Sequence, residues 1–327
     1  MDIKAFLNER KKIVYRELYK ALNIGEQMKL KEAMRHLPLA GGKRLRAILP
    51  MLVADAISGE SKKAIPFGIA MEIIHNFTLI HDDIMDKDIF RRGVPTVHTK
   101  FDEPTAINAG DALFARAFEV LCKLKVSDNI LRIIIGDVAK MVREIGEGQQ
   151  WDLDFEKRSD VSINEYLRMI EKKTALMFQI CCKGGAIISG GSKKQINSMA
   201  KYGKYLGICF QIWDDYLALT SDFKKFGKEL GNDIRRGKRT LMVIYSWEKC
   251  KEKEKNFLNS ILGKENASID EINAVIELMR NVGAIDFAKN FAESYAEKAK
   301  KFLYSLEESK HREALFELVN YMLRREE

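Results

Sequence analysis

The stretch GIAMEIIHNFTLI, residues 68–80, runs without a break into His81-Asp82-Asp83-Ile84-Met85-Asp86. Its apolar residues fall on most sides of a 3.6-residue helix, and such a helix belongs in the middle of a bundle. A second stretch, YLGICFQIW at 205–213, ends the same way in Asp214-Asp215. Residues 64–80, 174–189, 202–219 and 240–247 share this apolar texture. Residues 114–142 and 272–323 are instead amphipathic, with apolar positions spaced by three and four, and a polar Ser127-Asp128-Asn129 turn breaks the first of them. Charge runs such as residues 297–301 read as solvated faces. The expectation is an all-α protein, one large helical bundle. With no repeat, low-complexity tract or linker, residues 1–327 form a single domain.

Composition agrees. All five prolines lie at or before residue 104, so the last 223 residues (327 − 104) contain none. Proline punctuates strand-rich folds at their turns, and its scarcity favours long helices. No run free of Asp, Glu, Lys and Arg exceeds nine residues, whereas a membrane-spanning helix needs roughly 20 apolar ones. The N-terminus is charged throughout and carries no signal-peptide core. Five cysteines, at 122, 181, 182, 209 and 250, form no regular framework and read as reduced core thiols. Together these features predict a soluble, cytoplasmic protein. The net charge of +8, from 55 Lys plus Arg against 47 Asp plus Glu, fits nucleic acid, an anionic surface or a small acidic ligand equally well.

The positions of the charges choose among these. Asp82 and Asp86, at i and i+4, share a helical face with Asp83 beside them, flanked by Phe77, Leu79, Ile80, Ile84 and Met85. Carboxylates crowded in apolar surroundings repel one another and lose solvation, so a cation belongs there. A helix end reaching solvent would account for one such cluster. Asp214 and Asp215, about 130 residues on and followed by Asp222, make coincidence a poor explanation of two. Oxygen-only donors, without zinc-type Cys or His spacing, suit magnesium or manganese, and magnesium completes its shell with water and substrate phosphate.

Basic residues follow each acidic cluster: Arg91-Arg92-Gly93 after the first, and Lys228, Asp233 and Arg235–Arg239 after the second, while Gly41-Gly42-Lys43-Arg44-Leu45-Arg46 precedes both. Arginine forks bind phosphate oxygens in pairs and lysine acts as a mobile point charge. The pattern points to two diphosphates. Lys43, Arg46, Arg91 and Arg92 are the candidate contacts, whereas Arg44 and Arg239 are read as ordinary surface charge. His36 and His311 have no acidic partner at a recognisable spacing. His75, two turns before Asp82, fits a satisfied core residue and a diphosphate contact equally well. No nucleophile motif is present, and metal-assisted departure of diphosphate needs none from the protein.

These residues resemble the trans-isoprenyl diphosphate synthases. The similarity covers nearly the whole chain: GGKRLR at 41–46, DDIMD at 82–86, RRGVPTVH at 91–98, GQQWDL at 148–153, KT at 173–174, FQIWDD at 210–215 and GKELGNDIRRGKRT at 227–240. The resemblance implies the isoprenoid synthase fold, antiparallel helices around a central cavity, in a homodimer. It implies two or three magnesium ions per active site, with Asp82, Asp86 and Asp214 as ligands and Asp83 and Asp215 beside them. Isopentenyl diphosphate would fall to Lys43, Arg46, His75 and Arg92. The allylic diphosphate would fall to Arg91, Lys173, Thr174, Gln211, Lys228 and Lys238, with Lys173, Thr174, Gln211 and Lys228 also serving catalysis. The second motif departs from the family's DDxxD: it reads Asp214-Asp215-Tyr216-Leu217-Ala218, so no ligand can come from position 218.

The resemblance also bears on product length. Phe77 lies five residues, roughly 7.5 Å of helix, before Asp82, with Thr78 next to it. An aromatic at the fifth place alone is associated with a C20 product, one at both places with C15. The expected product is geranylgeranyl diphosphate, with farnesyl diphosphate as intermediate or co-product. A farnesyl diphosphate synthase and a class I terpene cyclase are the neighbouring alternatives, although a cyclase has no second diphosphate to hold. His81-Asp82 on an all-α background also suggests an HD-type phosphohydrolase, which leaves Asp214, Asp215 and the paired arginines unexplained. A nucleic-acid module would want an uninterrupted basic face, and here the bases alternate with carboxylates.

Overall fold

The computed structural model describes residues 2–220 and 231–324. The described elements are α1 (Ile3–Ala21), α2 (Met28–Leu39), α3 (Leu45–Ser58), α4 (Ile65–Met85), a two-stranded hairpin of β1 (Phe90–Arg91) and β2 (Val94–Pro95), α5 (Val97–Lys100), α6 (Glu103–Leu121), α7 (Asp128–Phe155), α8 (Ile163–Ile170), α9 (Leu176–Ile188) and α10 (Lys193–Thr220). After the undescribed residues come α11 (Asn232–Arg236), α12 (Leu241–Lys249), α13 (Glu252–Ile261), α14 (Ile269–Asn281), α15 (Ala284–Lys301) and α16 (Lys310–Arg324). The fold is all-α, and the apolar stretches read from the sequence are its buried helices. No helix among the described residues is long and apolar enough to cross a membrane.

Packing divides the chain into two compact units: Met1–Val138 with Ile180–Ala200 and Leu303–Glu317, and Ala139–Gln179 with Lys201–Phe302 and Leu318–Glu327. In the first, α4 is the centre and packs most extensively on α6 and α3. Its residues Phe67–Ile74 are all buried, as an all-round apolar sequence requires. Gly68 lets α3 approach so closely that a Cβ there would sit 2.4 Å from the Ala47 carbonyl oxygen. Pro66 opens α4 at its first turn, where the missing N–H costs nothing. Because the helix continues to Met85, Asp82 and Asp83 ride on its last turn and Asp86 caps it, its N–H donating to the Asp82 carbonyl at 2.8 Å.

In the second unit, α10 lies against the start of α9. A Cβ on Gly203 would meet the Phe178 carbonyl oxygen at 2.4 Å, and one on Gly207 the Ala175 Cα at 2.5 Å. A π-helical turn, Glu171–Ala175, joins α8 to α9, and such turns recur at functional positions. It carries Lys173 and Thr174. α15 turns a stripe of Ala284, Ala288, Ala292, Ala296 and Ala299 into the interior. Four cysteines are buried as expected, but Cys122, at the end of α6, is exposed, because that helix stops one residue earlier and leaves it at the turn.

Candidate active site

In the first unit the site is built on the second half of α4 and the two turns that face it. The hairpin turn after β1 consists of Arg92 and Gly93, both at positive φ (54° and 75°), in the register Arg91↔Val94. That is a type I′ turn, which favours Asn or Gly at its first position. Arg44, which opens α3, is also left-handed at φ 57°. An arginine in this conformation costs about 1–3 kcal/mol, and such strain gathers at functional positions.

Arg91 lies among the carboxylates. Its Nε donates to Asp83 Oδ1, and its Nη2 lies 3.8 Å from Asp82 and 3.4 Å from Asp88. Asp83 is fully buried. Burial pushes its carboxyl up to about 7 against the pull of Arg91, with Asp82 and Asp88 adding to the rise. Burial would lower the Arg91 guanidinium, but Asp83, Asp82 and Asp88 outweigh it and hold it above its ordinary value. His75 is half-buried and held well below the usual histidine range by burial and by Arg46, Arg92, Arg91 and Arg44. A neutral imidazole ringed by cations suits an anionic ligand that brings its own charge.

Phe77 turns toward α6, edge-on to His81 at 5.1 Å and 5.4 Å from Phe114, which in turn meets Phe118 at 5.2 Å. The Thr78 hydroxyl donates to the His75 carbonyl at 2.9 Å, so it sits in the helix without an unmet polar group. His81 packs over Gly110, where a Cβ would be 2.1 Å from Nε2, and that nitrogen lies 3.3 Å from the Ile107 carbonyl. Its ring is engaged with α6, which removes the feature that suggested a His–Asp phosphohydrolase.

The second unit carries two chains of polar contacts. Thr174 donates to Gln211 Oε1 at 2.7 Å, Gln211 Nε2 donates to Asp215 Oδ1 at 2.8 Å, and the Tyr166 hydroxyl donates to Asp215 Oδ2 at 2.7 Å. Burial, with Asp233 and Asp214 adding to it, pushes Asp215 up to about 8. Lys173 and Lys238 both donate to Asp152 Oδ2, at 2.6 and 2.8 Å, and Lys238 also reaches Glu156 at 2.8 Å. Burial opposes the ionised Asp152, but the two lysines win and hold its carboxyl below the ordinary range. Gly148 lets the backbone of the π-turn come this close, because a Cβ there would lie 2.5 Å from the Lys173 backbone nitrogen.

The candidates therefore separate by unit. The first gathers His75, Arg46, Arg91 and Arg92 around α4 above Asp82, Asp83 and Asp86, with Lys43 half-buried in the loop before α3. The second gathers Lys173, Thr174, Gln211, Asp215 and Lys238, with Asp214 next to Asp215 on α10. Lys228 and Asp222 lie outside the described residues. Arg44 is not surface charge: it is 5% exposed and donates to Glu72 at 2.8 Å. Arg239 is half-buried, its Nε 3.4 Å from the Phe155 carbonyl. His311 does have an acidic neighbour, Asp55 at 3.9 Å.

Glu72, Asn76, Asp152 and Tyr166 were not singled out from the sequence. Glu72 and Asn76 carried a signal, two polar residues at i and i+4 in an otherwise apolar helix; Tyr166 carried none. As to metal, Asp82 and Asp86 offer hard oxygen donors in the first unit, where buried Asp83 draws Arg91 in as counter-charge, and Asp214 offers one in the second. Donors of that kind suit a divalent cation. Among the described residues no three acidic, histidine or cysteine side chains converge tightly enough to hold one alone, so water and substrate oxygens would complete the shell.

An all-helical fold with this pairing of acidic and cationic residues defines a class of enzymes that act on diphosphates. The polyprenyl synthetase family profile matches residues 27–279. The geranylgeranyl diphosphate synthase of Methanosarcina mazei is 40% identical over 299 residues, 91% of this chain and 90% of that protein. The crystal structure of geranylgeranyl pyrophosphate synthetase from Pyrococcus horikoshii superposes with a TM-score of 0.94 at 38% identity, covering 99% of this chain and 98% of that one. A polyprenyl synthase from Caulobacter crescentus, solved with calcium and isoprenyl diphosphate, gives a TM-score of 0.91 at 29% identity over 99% and 97% of the two chains. The chain belongs to the polyprenyl synthetase family and is a prenyltransferase. The family uses divalent metal ions.

Proposed function

We propose that this prenyltransferase condenses isopentenyl diphosphate with dimethylallyl, geranyl and farnesyl diphosphates, releasing mainly geranylgeranyl diphosphate. The observation that carries the reading is α4 itself. Within three turns it holds a neutral His75 surrounded by Arg44, Arg46, Arg91 and Arg92, and then the carboxylates Asp82, Asp83 and Asp86. Four arginines gathered around a neutral imidazole at one end and carboxylates crowded at the other suit a bare diphosphate and a metal-borne one.

In this reading Lys43, Arg46, His75 and Arg92 take isopentenyl diphosphate, and Arg91, Lys173, Thr174, Gln211, Lys228 and Lys238 serve the allylic diphosphate. Asp82, Asp86 and Asp214 would hold magnesium, two or three ions per site, whose positive charge would offset the charge developing on the leaving diphosphate. The allylic C–O bond breaks, the isopentenyl double bond attacks the resulting cation, and a proton leaves to the departing diphosphate. Gln211, oriented by Thr174, and Asp215, oriented by Tyr166 and Gln211, supply fixed dipoles in place of reorganising water. Lys173 and Lys238 lean on Asp152, which keeps two ammonium groups side by side, with Glu156 also against Lys238. Phe77, backed by Phe114, forms the floor that stops the tail, with Thr78 beside it.

Residues 1–327 act as one synthase domain in a cytoplasmic homodimer. Product analysis after incubation with isopentenyl diphosphate, dimethylallyl diphosphate and magnesium tests the whole reading: C20 product is expected. Failure of folded protein to elongate would overturn it, a C15 product would make the chain a farnesyl diphosphate synthase, and hydrocarbon from allylic diphosphate alone would make it a cyclase.

A further inference from the structure

Between α2, α3, α4 and the β1–β2 turn lies a buried polar network that no role above uses. Glu72 is 1% exposed and Asn76 fully buried, one turn apart on α4. Glu72 Oε1 accepts from Arg44 Nη1 at 2.8 Å, and Arg44 Nη2 also donates to the Pro38 carbonyl. Asn76 Nδ2 donates to the Glu72 carbonyl at 2.7 Å and lies 3.4 Å from Glu72 Oε1. Its Oδ1 is thereby fixed as an acceptor, and Arg92 Nη1 donates to it at 3.1 Å and to the Leu37 carbonyl at 3.2 Å. On the other side the Arg92 guanidinium lies against Gly42, where a Cβ would meet Cζ at 3.0 Å.

We propose that Glu72 and Asn76 are positioning residues: Asn76, itself fixed by Glu72, anchors the Arg92 guanidinium against Gly42 in the orientation that receives isopentenyl diphosphate, and Arg44 holds Glu72 in place. The proposal rests on the synthase reading, and the physics is that of a crowded cationic site. Arg44, Arg46, Arg91 and Arg92 all bear on His75, and like charges this close would swing apart into solvent. Burial and the neighbouring arginines push Arg92 down to about 10, and Glu72 is the anion that opposes them. Both left-handed arginines, Arg44 and Arg92, bond directly to this Glu72–Asn76 pair, so the network holds two backbone conformations that arginine avoids when unconstrained. A guanidinium with its Nη1 edge anchored keeps its remaining N–H groups at a fixed angle, as paired recognition of phosphate oxygens needs.

The test is a double-mutant cycle on the full-length enzyme with two readouts: calorimetric binding of isopentenyl diphosphate, and steady-state kinetics with each substrate varied. Asn76→Ala removes a hydrogen bond to a charged group and should weaken isopentenyl diphosphate binding and raise its KM about tenfold, with KM for the allylic substrate and kcat within about twofold. In an Arg92→Lys background, Asn76→Ala should add almost nothing, because its target is gone. Gly42→Ala crowds the same guanidinium from the exposed side, while also straining a backbone at φ 115°, and should give the same selective loss in Arg92 wild type but not in the Arg92→Lys background, which covers a failure of Asn76→Ala to fold. Equal losses for both substrates, or additive effects with Arg92→Lys, would overturn the positioning role while wild-type activity left the synthase reading intact. Wild-type enzyme that neither binds nor elongates isopentenyl diphosphate would overturn the synthase reading itself and this role with it.

Discussion

The two acidic regions of the chain look alike in sequence and are built differently. Around Asp82 and Asp83 the cations are arginines: Arg92 stands on left-handed backbone, and Arg91 sits among the carboxylates. Around Asp214 and Asp215 the cations are lysines resting on a carboxylate of their own, Asp152, while Asp215 is held by the neutral donors Tyr166 and Gln211. An arginine fork fixes a phosphate's orientation, whereas a lysine follows it as a point charge. In the proposed reading the arginines around His75 take the diphosphate held unchanged through the reaction, while Arg91 among the carboxylates and the lysines of the second region serve the one whose charge grows as it departs.

The comparison breaks most visibly if the carboxylates are removed. Asp82→Ala, or chelation of divalent metal, should lower product formation by about 10²- to 10³-fold, measured with labelled isopentenyl diphosphate. Asp214→Ala should do the same, and a mild effect at either position would mean that the regions do not share the metal role. Next in size is Asp152→Asn, which leaves Lys173 and Lys238 without their common anion. It should change the allylic KM or kcat about tenfold, in line with loss of a charged hydrogen-bond partner, and leave the KM for isopentenyl diphosphate alone. An equal effect on both substrates would erase the division of labour drawn here.

A change of product rather than rate distinguishes the aromatic floor. Phe77→Ala should shift the longest product beyond C20, and Phe114→Ala should do so less, because Phe114 only backs the ring; chain lengths read by mass analysis check both. The smallest effect concerns His75 and acid. Its folded-state value is depressed below the ordinary 6.5 or so, so below that pH the unfolded chain binds more protons and stability falls as pH drops. Between about pH 6.5 and 5 the denaturant midpoint of the wild-type chain should fall relative to that of His75→Gln, while His311, in the same sense, and Asp83 and Asp215, in the opposite one, act on both. A midpoint profile unchanged by His75→Gln would mean that the ring is not held neutral.

Much of this was legible beforehand, and particular residues explain why. The 68–80 stretch announces a central helix because apolar periodicity is local, and Asp82, Asp83 and Asp86 announce a cation because three charges in one turn need one wherever the helix goes. Arg44 was misread for the opposite reason. Nothing in GGKRLR reveals which of its three cations turns inward, and that is decided by Glu72, 28 residues away. Asp152 was visible only as one letter of a motif; its work depends on Lys173 and Lys238, brought to it by a π-turn and by the segment after α11.

The sequence by itself determined the helical class, the two acidic clusters and the family, because helix periodicity and charge crowding are properties of neighbours along the chain. Only the tertiary structure decided which carboxylate each cation meets, which carboxylates are buried, and that Glu72 and Asn76 stand behind Arg92. Burial and counter-charge come from residues distant along the chain, and they set the energy of a charged group far more than its neighbours in sequence do.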